Sequence, residues 1–185
     1  KVGKERVQPI DPLFIEVDHR HTDIEGYESA RTVLSKKIPI KDEHNNEHEM
    51  HVRISYLPVN AFDAKSADTK KKVRFEVRKR YNGIFVSRNG RFIECVRPAG
   101  SDFGSWSNYK RQVAISIDFP PELDSLFGVT ADKQTVVLSD KILDRLSTEN
   151  VPSVVKQLER EVQAERRKLS SESELALLDG PRPSE

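Results

Sequence analysis

The chain has 185 residues, 36% of them hydrophobic and 33% charged. Typical globular domains hold about 45–50% and about 25%, so there is room for one core and part of the chain must stay solvated. The net charge of +1 selects no class of partner. The single cysteine, Cys95, excludes an internal disulfide and points to a reducing, cytoplasmic setting, and no apolar run approaches the roughly 20 residues of a membrane span.

Charge is unevenly spread. Asp11 to Met50 holds ten acids and five bases, whereas Lys65 to Arg97 holds eleven bases and three acids. A basic middle beside an acidic flank predicts one positive face. The chain opens on a polar stretch without a methionine and a signal peptide is not visible, so it reads as a segment of a longer protein.

In chain order, residues 1–12 form a polar, frayed start. Leu13-Phe14-Ile15-Glu16-Val17 predicts a first strand. Tyr27 to Leu34 fits a helical turn or a second strand. Lys37-Ile38-Pro39-Ile40 and the alternating Met50-His51-Val52-Arg53-Ile54-Ser55-Tyr56 predict a hairpin with an acidic, histidine-containing loop at its tip. After Pro58, the Ala-, Lys- and Ser-rich Asn60 to Lys72 offers a short helix followed by a loop, and Val73 to Arg78 fits a strand or a helix end.

Gly83 to Arg88 and Arg91 to Val96 flank Asn89-Gly90, the most specific short hairpin signal, because a type I′ turn needs positive φ at both central residues. Arg97 to Lys110 is a long loop containing Trp106 and Tyr109. Gln112 to Phe119 alternates, placing Val113, Ile115, Ile117 and Phe119 on one face, and Pro120-Pro121 ends the strand. Glu122 to Phe127 predicts a short helical turn with Leu123, Leu126 and Phe127 buried. Thr135 to Leu138 predicts a short strand, followed by a helix capped by Ser139. A second helix opens near Pro152, with Val154, Val155, Leu158, Val162 and Leu169 at helical spacing. Residues 179–185 form a tail disordered by composition.

No nucleophile elbow, Walker loop or dinucleotide glycine fingerprint is present. His44, His48 and His51 are spaced as in some metal sites, but Asn45-Asn46 and the following strand favour a loop, so no metal is expected. His19 and His21 read as a solvated turn. Cys95 has no partner histidine nearby in sequence and reads as a half-buried core residue. Lys70, Lys71, Lys72, Arg74, Arg78, Lys79, Arg80, Arg88 and Arg91 form a basic cluster that fits a solvated face or a phosphate-binding one. Trp106 and Tyr109 fit base stacking or packing of their own loop.

The feature that most invites a function is Lys133, in a turn closely bracketed by Gly128, a predicted strand and a capped helix. The run Asn82 to Ile93, then Ile117-Asp118-Phe119-Pro120-Pro121-Glu122-Leu123-Asp124 and Phe127-Gly128-Val129-Thr130-Ala131-Asp132-Lys133-Gln134, resembles the transducer domain of GHKL ATPases. That superfamily includes gyrase B, MutL, the MORC proteins and the Hsp90-like chaperones, and the likeness is nearest to MORC and bacterial Hsp90-like ATPases. The likeness covers Asn82 to Leu146, is vague over Leu13 to Arg80, and is absent beyond Asn150. Asp132 departs from the asparagine often found there.

The resemblance implies an α+β fold like that of a ribosomal protein over residues 13–150. This fold has a mixed sheet, helices on one face and a right-handed β-α-β crossover, followed by a helical arm over residues 151–178. It implies that Lys133, supported by Gln134, reaches the γ-phosphate of ATP held with Mg2+ in an upstream ATPase domain. The chain alone then hydrolyses nothing, and in the parent protein it couples nucleotide state to dimerisation or to a partner. The alternative is a non-enzymatic nucleic-acid or protein-binding module that uses the basic face around residues 70–91. DNA is a partner compatible with both readings.

Overall fold

The computed structural model describes residues 11–15, 30–59, 78–99, 102–129 and 135–178. Five strands are present: β1 Arg31–Lys41, β2 Glu47–Tyr56, β3 Ile84–Arg88, β4 Arg91–Val96 and β5 Val113–Phe119. Two helices follow them, α1 Asp140–Thr148 and α2 Val151–Leu178. The sheet order is β1-β2-β5-β3-β4. β5 runs parallel to β3, and the other neighbours are antiparallel. The fold is therefore α+β with a mixed sheet. The parallel neighbours β3 and β5 are joined through β4 and the 97–112 segment, which among its described residues holds a 3-10 turn at Asn108–Gln112 and no α-helix.

The period-two pattern explains the core. Met50, Val52 and Ile54 of β2 and Val113, Ile115, Ile117 and Phe119 of β5 share one cluster with Ile142 and Leu146 of α1 and Val151, Val155, Leu158 and Val162 of α2. Each such fully buried aliphatic chain contributes about 1.5–3 kcal/mol relative to exposure. The opposite parity faces the other way: Ala114 packs with Leu57, Leu13 and Phe14, and the Ser55 hydroxyl donates to the Leu13 carbonyl at 2.7 Å.

Three local expectations are corrected. Residues 13–15 form a turn rather than a strand, because the Asp11 carboxylate accepts the Leu13 and Ile15 amides, both at 2.9 Å, and Phe14 adopts φ 55°. Thr135–Leu138 carries no strand; its polar backbone pairs with the preceding turn instead. Ser139 does occupy the N-cap of α1, but its hydroxyl makes no capping bond. The open choice over Tyr27 to Leu34 resolves to strand from Arg31 onward, and the 78–80 segment is helical.

The Asn89-Gly90 hairpin forms as expected, with φ of 48° and 76°. At the tip of the β1–β2 hairpin, the Asp42 carboxylate accepts the amides of His44 and Asn46 at 2.8 Å and the Asn46 side chain at 3.1 Å. His48 Nε2 lies 3.0 Å from it. α2 is held along its first half: Arg31 meets Glu161 at 3.1 Å, Tyr56 donates to Glu165, and Arg166 stacks over Tyr109. Residues 167–172 of the same helix are exposed.

Candidate functional site

β5 delivers the chain to Phe119, where Pro120 and Pro121 remove two ladder donors and start a 3-10 turn, Pro121–Leu123. The turn continues through Leu126 N to Leu123 O at 2.9 Å and Val129 N to Asp124 O at 3.0 Å. Gly128 has φ 60°, and a Cβ there would sit 3.3 Å from Val137 Cβ, so the position suits glycine on both counts. The returning strand of chain closes the loop: Val137 N donates to Phe127 O at 3.0 Å and Ser139 N to Leu126 O at 3.2 Å. The Phe119 and Phe127 rings stack across this neck at 3.8 Å and 4°.

The β3–β4 hairpin braces the neck. Arg88 grips Asp124 through two hydrogen bonds, and Asp124 raises the pKa of its guanidinium. Asn89 N donates to Phe119 O at 3.0 Å, Gly90 N to Asp118 Oδ1 at 2.7 Å, and Val136 N to Glu94 Oε2 at 2.6 Å. The structure thus fixes where the chain leaves at Val129 and re-enters at Thr135. Lys133 and Gln134 lie between, outside the described residues.

The basic cluster divides. Lys70, Lys71, Lys72 and Arg74 fall outside the described residues. Arg78 is fully buried, so it takes no part in a basic surface. Its guanidinium donates to the carbonyls of Arg111 at 2.9 Å, Tyr81 at 3.2 Å and Val113 at 2.8 Å, and burial lowers its pKa. Arg88 is committed to Asp124. Lys79, Arg80 and Arg91 are exposed.

Sequence reasoning missed Lys110, which is 1% exposed and donates to the carbonyls of Phe103 and Ser105 while lying 5.0 Å from the Trp106 ring centroid. Burial lowers its pKa, against the pull of Glu159. Trp106 also stacks on Phe103 at 6.2 Å, so this aromatic packs its own loop. Nothing in the order of residues distinguishes Lys110 from its neighbour Arg111.

Cys95 is half-buried, and burial pushes its thiol up to about 11. It lines a cleft of about 630 Å³ between β4 and the start of α1, with Arg80, Glu94, Arg97, Val137 and Asp140. His51 pairs with Ser35 at 2.9 Å, and His48 belongs to Asp42. Among the described residues, no three His, Cys, Asp or Glu side chains converge as metal ligands. His19 and His21 lie outside them. Among the described residues, no helix is long and apolar enough to cross a membrane. Compared with models of known families, with curated proteins and with solved structures, the chain matches none.

Proposed function

We propose that the chain is the transducer portion of a GHKL-type ATPase of the MORC or Hsp90-like kind. In this reading, Lys133 contacts the γ-phosphate of ATP bound with Mg2+ in an upstream domain, with Gln134 supporting it. The observation that carries the reading is the braced neck: paired backbone at Leu126–Phe127 and Val137–Ser139, stacked phenylalanines, and four ties to the β3–β4 hairpin. Five residues between 129 and 135 that begin and end on so fixed a base suit a side chain that must meet a phosphate in another domain.

The chemistry of a lysine fits the task. Its ammonium is a compact charge on a long stem and neutralises a terminal phosphate oxygen only while that phosphate is attached. The mixed sheet with both helices joined to one apolar cluster agrees with the α+β part of the reading, but the helical β-α-β crossover expected of that fold is not found between the parallel strands β3 and β5, whose described connection holds β4 and a 3-10 turn. α2 then connects the nucleotide-sensing end to dimerisation or a partner.

The test is ATP turnover in the full-length protein. Lys133→Ala should lower it at least about tenfold, while a control at an exposed lysine such as Lys156 leaves it unchanged. Normal turnover in Lys133→Ala removes the assigned role.

A further inference from the structure

Among the described residues β4 is an edge strand of the sheet, and it carries an aromatic ring that the core does not absorb. Phe92 is 46% exposed. One side of its ring is fixed against Tyr81, edge-on at 6.1 Å and 82°, and against Phe85 at 5.6 Å, leaving the other side open. Cations occupy the same two segments along this edge: Arg91 faces the other side of the sheet from Phe92, and Arg97 lies five residues, about 16 Å, along the chain from it. Lys79 and Arg80 immediately precede Tyr81, Arg91 precedes Phe92, and Arg97 is tied to this edge by its Nε bond to the Asn82 carbonyl at 2.6 Å. All four are exposed. Between residues 79 and 97 the sole acid is Glu94, whose carboxylate already accepts the Val136 amide. The two other arginines of the region, Arg78 and Arg88, are internally engaged.

We propose that this edge binds single-stranded nucleic acid, one base stacking on the open side of Phe92 while the phosphates pass Lys79, Arg80, Arg91 and Arg97. Four cations alone would suit any polyanion, including a duplex. The aromatic ring decides between them, because only an unpaired strand presents the face of a base. The ring is held in place before binding, so little rotamer freedom is lost when a base lands on it. This binding is separate from the nucleotide chemistry proposed for Lys133.

The experiment is fluorescence anisotropy of the 185-residue chain with a labelled oligothymidylate of about 20 nucleotides and a duplex of equal length, from about 50 to about 200 mM salt. The single strand should bind more tightly than the duplex. Phe92→Ala should weaken it about tenfold without changing the salt dependence, and Phe92→Trp should restore it. Arg80→Gln with Arg97→Gln should lessen the slope of log affinity against log salt by about 1.4, at about 0.7 per lost phosphate contact. Equal affinity for the duplex, an unaltered Phe92→Ala, or no binding at the lowest salt each overturns the proposal.

Discussion

Arg88 and Asp124 meet in a two-pronged ion pair, Nε to Oδ1 at 2.7 Å and Nη2 to Oδ2 at 2.8 Å, joining the end of β3 to the turn that follows β5. If the pair works as a unit, Arg88→Ala and Asp124→Ala should each lower stability, and the double variant should be no worse than the poorer single one. Additive losses in denaturant melts would show that the two side chains act separately.

Two glycines should respond oppositely in size to the same change. A Cβ on Gly83 would lie 2.6 Å from the Val96 carbonyl oxygen and 2.7 Å from Cys95 Sγ, and the backbone atom has nowhere to go. Gly83→Ala should cost about 2 kcal/mol or more. Gly90 has open space around it and φ of 76°, so Gly90→Ala should cost only about 1 kcal/mol, from backbone conformation alone. Chemical denaturation of both variants separates contact from conformation.

The Cys95 thiol should be slow. Burial outweighs the opposing pull of Arg78 and Arg97 and moves it from 9.0 to about 11. At pH 8 the thiolate fraction, and with it the rate of reaction with a disulfide reagent, should fall about a hundredfold below that of a free cysteine. The unfolded chain releases this proton first, so stability should decline as pH rises from 9 towards 11. Cys95→Ala should flatten that decline.

The tip of the β1–β2 hairpin should loosen in acid. Burial alone would raise the Asp42 pKa, but hydrogen bonds from Asn46, His48 and the His44 amide outweigh it and hold the carboxyl well below its usual 3.8. A lowered folded pKa means stability that is complete above that usual value and is lost as pH falls below it. The protection of the Asn46 amide against exchange, relative to an unstructured peptide at the same pH, should therefore fall below about pH 4, and Asp42→Asn should show the lower protection already at neutral pH.

Sequence pattern carried the parts governed by neighbours. β5 announces itself by alternation, β3 and β4 by Asn89-Gly90, and α2 by the spacing of Val155, Leu158 and Val162, because each signal is local. What was not legible depended on distant partners. The apolar run at Leu13 looks like a strand until Asp11 folds its carboxylate over it. Arg78 looks like part of a charged face until the start of β5 brings three carbonyls to it from residues more than thirty positions away. Lys110 is hidden for the same reason. In the candidate site, the proline pair and Gly128 foretold the turn, whereas the ties from Arg88 and Glu94 needed the parallel β3–β5 pairing to appear.

α2 also converts angle into distance. Its 28 residues rise about 42 Å in one unbroken rod, and among the described residues its ties to the sheet and the 3-10 turn reach as far as Arg166. A rotation of the sheet by about 10° therefore displaces Leu178 by about 7 Å relative to a fixed partner, more than one helical turn. Whatever holds the far end of this rod experiences small reorientations of the sheet as large steps.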